Sequence, residues 1–173
     1  ILKESDILFC LDFNEPKRTA RLHKFVENFS NTKVLIDHHP YPVDFCDIMI
    51  SEPEYSSTCE LVFEVINRLE LEKYMNINAA EALFTGIMTD TGSFSHNISR
   101  PATFRAVAKL IEYGIDTEKI HSAVYDNFSV NRMRLLGKCL SEKMKVFPGF
   151  RSAVIWLSLE DLEKYDFQPG DSE

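Results

Sequence analysis

An α/β fold, a parallel sheet with helices on both faces, is the class that this 173-residue sequence predicts. Three observations carry the prediction. Short, nearly continuous apolar runs end at polar residues, as strands buried on both faces do. Between these runs lie apolar stripes at helical spacing, several of them opened by cap residues. Strands and helices therefore alternate, and strands joined by helical crossovers lie parallel in one sheet.

The first run, Asp6-Ile7-Leu8-Phe9-Cys10-Leu11, stops at Asp12. Leu22, Phe25, Val26 and Phe29 then fall on one helical stripe. Lys33-Val34-Leu35-Ile36 is the second strand and runs straight into Asp37-His38-His39-Pro40. Pro40 disfavours helix at His39 and closes that strand in a turn. A third strand covers Ile48-Met49-Ile50. Ser57-Thr58-Cys59-Glu60 has the S-x-x-E form of a capping box, and Leu61, Val62, Val65, Ile66 and Leu69 mark the helix face behind it. Asn78-Ala79-Ala80-Glu81 opens the next helix, whose stripe of Ala80, Leu83, Phe84 and Ile87 leads to Thr89-Asp90-Thr91-Gly92. Pro101 suits a first helical position, Phe104, Val107, Ala108 and Ile111 form a stripe, and Gly114 is the stop. Asp116 caps a helix that reaches about Asp126. A longer helix runs from Val130 to about Met144 with Met133, Leu136, Leu140 and Met144 inward. Arg151–Leu157 reads as a strand, and Ser158-Leu159-Glu160-Asp161 as another helix start.

Composition narrows the function. The net charge of −8 argues against a surface built to grip long duplex nucleic acid, which needs basic stripes. A short phosphorylated ligand remains compatible if a divalent cation supplies local positive charge. No apolar window reaches the length of a membrane span, and no basic leader is visible, so the expectation is a protein with no membrane partner. Cys10, Cys46, Cys59 and Cys139 are widely spaced and form no C-x-x-C pair. They read as reduced, buried thiols in a cytoplasmic protein.

Three clusters can carry chemistry. Asp12-Phe13-Asn14 follows the first strand, Asp37-His38-His39 the second, and Asp90 closes a helix. In an open parallel sheet, ligands bind beyond the carboxyl ends of the strands, where the first two clusters lie. Carboxylates and imidazoles together form a hard-to-borderline donor set that suits Mn²⁺ or Mg²⁺. Taken singly, each cluster also has a plain explanation in turn or cap chemistry. Their combination would need three unrelated coincidences.

The order D-x-N, then D-H-H-P, then G-I-M-T-D-T-G-S-F resembles the second, third and fourth motifs of the DHH phosphoesterase family. Ser56-Ser57-Thr58-Cys59-Glu60-Leu61 resembles the family's S-x-T-x-E-L stretch, and Leu135-Leu136-Gly137-Lys138-Cys139-Leu140 its linker helix. The likeness spans nearly the whole chain and is nearest to the branch of bacterial oligoribonucleases that also dephosphorylate 3′-phosphoadenosine 5′-phosphate, a branch related to RecJ. It implies two Mn²⁺ ions, or Mg²⁺, with Asp12 bridging them, His38 on one metal and Asp90 completing that coordination. His39 would contact the scissile phosphate and Asp37 would orient the histidine pair. Water activated between the metals would attack phosphorus in line, with no protein nucleophile. His96 and Arg100 would lie near substrate phosphates.

Two family features are absent from these residues: the first motif, H-x-x-x-D-x-D, and the glycine-rich G-G-G-H motif of the associated C-terminal domain. The chain therefore reads as an internal portion of a protein about twice as long, poorly active by itself. Residues 1–128 would be the DHH domain, 129–147 the linker helix, and 148–173 the start of a second α/β domain, with the Phe147-Pro148-Gly149 turn as the boundary. The expected function is two-metal hydrolysis of phosphate esters in short oligonucleotides or 3′,5′-nucleotide bisphosphates. The alternatives are polyphosphate, pyrophosphate or cyclic-dinucleotide hydrolysis, and an inactive nucleotide-binding module. An exposed apolar stripe on the linker helix would allow a homodimer.

Overall fold

The structure is a computed structural model that describes residues 5–126 and 128–168. Three strands, β1 (Ile7–Leu11), β2 (Thr32–Asp37) and β3 (Ile48–Ser51), form a parallel sheet in the order β1-β2-β3. Register places Cys10 beside Leu35 and Leu35 beside Met49, so these three share one face. That face is packed: Cys10, Leu35, Val26 of the short helix α1 (His23–Glu27) and Cys46 form a buried cluster, with Leu8, Phe13, Phe45 and Met49 against it. Burial pushes the thiol of Cys10 up from its ordinary range and that of Cys46 to about 12, so both stay protonated as small hydrophobes.

The first strand departs from expectation. Its alternate residues Ile7, Phe9 and Leu11 are half-exposed, so β1 is covered on one face only among the described residues. Central β2 fits the prediction better, with Leu35 buried on one face and Ile36 on the other. The helix read through Leu22 and Phe29 is also shorter than its stripe. A 3-10 segment, Pro16–Leu22, precedes α1, whose five residues leave Leu22 and Phe25 half-exposed.

Helix α2 (Thr58–Arg68) starts where expected, with Ser57 Oγ accepting from the Glu60 backbone N–H. The reciprocal half of the capping box does not form. Glu60 is buried and accepts instead from the backbone N–H of Ser56, the Ser56 hydroxyl and the Thr103 hydroxyl. Helix α3 (Ile77–Asp90) is capped by Asn76 rather than Asn78, and buries the expected Ala80, Leu83, Phe84 and Ile87. It packs tightly on α2: a Cβ built on Gly86 would fall on Cys59 Sγ. Helix α4 (Pro101–Ile111) begins at the expected proline but is turned on its axis. Thr103, Val107 and Leu110 are buried, whereas Phe104, Ala108 and Ile111 face outward. The buried Glu60 attracts the Thr103 hydroxyl and sets that rotation, a long-range partner that apolar spacing does not show. Gly114 closes the following turn at a φ of +81°, and Asp116 caps α5 (Thr117–Tyr125) through the Lys119 N–H.

The chain divides into two compact units, residues 1–120 and 121–173. In the second, α6 (Val130–Lys138) is followed by a π-helical turn, Cys139–Lys143. Met144 is not helical; it opens β4 (Met144–Phe147), which pairs antiparallel with β5 (Ser152–Ile155). Hairpin pairing there overrides the helical period. Leu135 and Cys139 are buried, while Met133, Leu136, Leu140 and Met144 are about half-exposed, so the inward face is not the expected one. Of the Phe147-Pro148-Gly149 segment, Phe147 ends β4 and Pro148-Gly149 begin the connection to β5. Helix α7 (Leu159–Lys164) starts with a complete capping box between Ser158 and Asp161. The expected end of the chain beyond Gln168 lies outside the described residues.

Candidate metal centre

The carboxyl ends of β1 and β2 and the last residue of α3 meet. Asp12 follows β1 with a left-handed φ of 66°, a conformation that Asp tolerates better than most side chains. Its backbone N–H bonds to the Ile36 carbonyl and keeps the residue on the sheet. Thr58, the first residue of α2, links the two strand ends. Its hydroxyl donates to Asp12 Oδ1 at 2.8 Å and accepts from the His38 N–H at 3.3 Å. Asp90 is held by the turn behind it. Thr91 is fully buried, donates its hydroxyl to the Ile87 carbonyl and accepts from the Phe94 N–H.

Hydrogen bonds orient both imidazoles. Asp37 is fully buried, and a carboxylate is an acceptor, so His39 Nδ1–H donates to Asp37 Oδ1 at 2.7 Å. That leaves His39 Nε2 free. His38 Nδ1–H points at the Tyr55 carbonyl at 3.2 Å, which frees His38 Nε2 in the same way. His38 Nε2 then faces Asp12 Oδ1 at 3.8 Å and Asp90 Oδ2 at 3.7 Å. Asp12, His38 and His39 each offer a ligand atom within 4.8 Å of the others.

These separations fit a cation. Two ligand atoms about 2.1 Å from one ion stand roughly 3.0–4.2 Å apart, from right-angled to opposed geometry. Separations of 3.7 and 3.8 Å are too long for hydrogen bonds but fall inside that span. Electrostatics agree. Burial, and then the charge of Asp12, push the Asp90 carboxyl above its ordinary range, although His38 and His39 pull it down. Asp90 also terminates α3, where the helix dipole already concentrates negative charge. Two carboxylates at such a place ask for positive charge. Burial, then Asp90 and Asp12, push the thiol of nearby Cys59 up to about 11, so without a metal it stays protonated.

Of the residues singled out from sequence, Asp12, Asp37, His38, His39 and Asp90 converge. Arg100 lines a cavity of about 410 Å³ together with His38, His39 and Tyr55. His96 is not among the residues that line this cavity; its ring lies against Gly92, two residues after Asp90. Sequence reasoning missed the roles of Thr58 and the Tyr55 carbonyl. The S-x-T-x-E-L stretch contained the signal for Thr58; a backbone carbonyl leaves none.

The fold and the cluster together define an α/β domain with a carboxylate–histidine centre at the ends of parallel strands. The chain belongs to the DHH family, whose N-terminal domain matches residues 1–87. Among its relatives, an uncharacterized protein of Mycoplasma pneumoniae (the MG371 homolog) is 35% identical over 65% of this chain and 33% of its own length. The bifunctional oligoribonuclease and PAP phosphatase NrnA of Thermus thermophilus is 31% identical over 82% of this chain and 41% of its own length. A crystal structure of an exopolyphosphatase-related protein from Bacteroides fragilis is 42% identical, with a TM-score of 0.96 over 99% of this chain and 50% of that one. The chain thus spans half or less of the proteins it matches. No helix among the described residues is long and apolar enough to cross a membrane.

Proposed function

We propose that this chain carries one side of a two-metal phosphoesterase centre that hydrolyses phosphate esters in short oligonucleotides or 3′,5′-nucleotide bisphosphates. The observation that carries the reading is the meeting of Asp12, His38 and His39 within 4.8 Å, with Asp90 3.7 Å from His38. Asp12, His38 and Asp90 would hold divalent cations, Mn²⁺ or Mg²⁺, because their donors are carboxylate oxygens and imidazole nitrogen. Such ions, when bound, supply a nucleophilic water at neutral pH and neutralise charge on the reacting phosphate. The chain's own residues do the positioning. Asp37 fixes the His39 tautomer, so that Nε2 is the nitrogen available to a phosphate in the cleft. Arg100, stacked on Tyr55 in the same cavity, supplies fixed positive charge for a second phosphate. The NrnA relative supports this substrate class, since its name pairs oligoribonuclease with PAP phosphatase activity.

A second reading, hydrolysis of inorganic polyphosphate or pyrophosphate, is favoured by the 42% identical exopolyphosphatase-related structure. One experiment addresses both. Full-length protein is assayed with Mn²⁺ on a dinucleotide, a 3′,5′-nucleotide bisphosphate and inorganic polyphosphate, alongside Asp12→Ala and Asp90→Ala. The expected result is metal-dependent turnover fastest on the nucleotides and lost in both variants. Faster turnover of polyphosphate would favour the second reading. Undiminished activity in the variants would sink both.

A further inference from the structure

The geometry points to a second anion site, a groove between α2 and α4 that takes the phosphate group of a small phosphorylated ligand without any metal. The groove has a volume of about 320 Å³ and is lined by four basic side chains, Arg68, Arg100, Arg105 and Lys109. Against these stand only two carboxylates, Glu60 and Glu64, in a chain whose net charge is −8. A cationic concentration of this kind needs a reason on so acidic a molecule.

Both carboxylates are already engaged. Glu64 accepts from Arg68 at 2.8 Å. Glu60 is buried, with one oxygen taken by Ser56 and Thr103 and the other 3.5 Å from Arg100 Nη1. That contact is too long to satisfy the guanidinium: Arg100 Nη1 is buried and has no hydrogen-bond partner. Arg100 is nevertheless fixed, its Cζ 3.9 Å from the centre of the Tyr55 ring. Arg105 and Lys109, one turn apart on α4, have no carboxylate partner among the described residues. Asn67, on the facing helix, brings a buried Oδ1 that lacks a donor, an acceptor for a hydroxyl of the ligand and not for the anion's own oxygens.

An ion with several acceptor oxygens and more than one negative charge suits this arrangement. Forked guanidinium groups match phosphate oxygens, while Lys109 adds a compact charge. Phe63, Tyr55, Ala102 and Ala106 give the groove an apolar wall, which a ribose or base could cover. Arg100 lines both this groove and the cavity of the histidine pair, so a ligand here would sit next to the candidate metal centre yet depend on other residues. The inference does not require the hydrolytic reading.

Calorimetric titration of full-length protein with inorganic pyrophosphate in excess EDTA tests it. EDTA empties the metal centre, whose exposed carboxylates then repel the anion. Wild-type protein and Asp12→Ala are expected to bind equally. Arg105→Ala/Lys109→Ala is expected to lose about tenfold or more in affinity, and binding should weaken as salt rises. Both substituted side chains are exposed, and an unchanged circular dichroism spectrum confirms the variant's fold. Adenosine monophosphate, titrated in parallel with inorganic phosphate, separates the two sources of the group: tighter nucleotide binding assigns the apolar wall to a nucleoside, and equal binding assigns the groove to a bare phosphate. Failure of the wild type to bind pyrophosphate, or equal affinity in the double variant, overturns the proposal, whatever the hydrolysis assays give.

Discussion

Two groups of carboxylates in this chain stand in opposite surroundings. Glu60 in the first unit and Asp161 in the second are almost wholly buried and encircled by donors. Asp161 accepts from Lys143 at 2.7 Å, Lys138 at 3.0 Å, and the Ser158 N–H and hydroxyl. Asp90 is partly exposed, accepts no hydrogen bond among the described residues, and faces a second carboxylate and an imidazole. Asp12 has a single hydrogen-bond donor among the described residues, Thr58. The first pair has its charge answered by the protein. The second, among the described residues, receives one hydroxyl and two imidazoles and no Lys or Arg. A buried, satisfied carboxylate is an architectural element, whereas an under-satisfied cluster is organised for a cation brought from outside.

The largest expected effect breaks the metal side of this contrast. Asp90→Asn should weaken Mn²⁺ binding by more than the roughly 10- to 100-fold typical of residues behind a ligand. The same substitution should not lower the metal-free unfolding midpoint, because it removes a carboxylate from a helix C-terminus and relieves repulsion from Asp12. Calorimetric Mn²⁺ titration and thermal melts in EDTA measure the two halves. Glu60→Gln should do the reverse. An amide nitrogen in place of one carboxylate oxygen either leaves the Ser56 and Thr103 donors without an acceptor or sets an NH2 group against the Arg100 guanidinium, at about 1–3 kcal/mol of stability with or without metal. A Glu60→Gln protein as stable as wild type in urea would erase the distinction.

How much of this was legible beforehand follows the same line. Asp12, His38, His39 and Asp90 stand at ends of elements that local pattern marks well: apolar runs that stop, a proline after the histidines, a buried helix that ends in Thr-Asp-Thr-Gly. The bland cap or turn explanation, fair for each residue alone, is displaced only when parallel pairing brings the strand ends together. What stayed hidden depends on partners far away in sequence. Glu60 reads as half of a capping box, yet it turns to Thr103 and rotates α4 with it. Thr58 reads as a first helical residue, yet its hydroxyl reaches Asp12, 46 positions earlier. In the second unit, Met144 fits a helical stripe but is claimed by pairing with Ile155. Apolar spacing records one element's face and says nothing of which polar group waits opposite.

The smallest effect is the sharpest, because it has a sign. Burial and the Asp12 charge raise the Asp90 carboxyl, whereas Lys143 first, then the Ser158 N–H and Lys138, hold Asp161 well below the ordinary carboxylate range. Well below the ordinary aspartate value of 3.8, Asp90 is protonated in folded and unfolded chains alike. As pH rises from there to its raised folded value, only the unfolded chain ionises, so metal-free stability falls. Asp161 runs the other way: its contribution is complete above 3.8 and drains away as pH drops toward its lowered folded value, because the unfolded chain takes the proton first. Urea unfolding across the acid range in EDTA reads both. Asp90→Asn, followed by far-ultraviolet circular dichroism, should remove the loss on the rising side. Asp161→Asn, followed by the lone Trp156 in the second unit, should remove the loss on the falling side. Shifts of the same sign in the two variants would mean that the difference in donor supply around these carboxylates does not govern their charge.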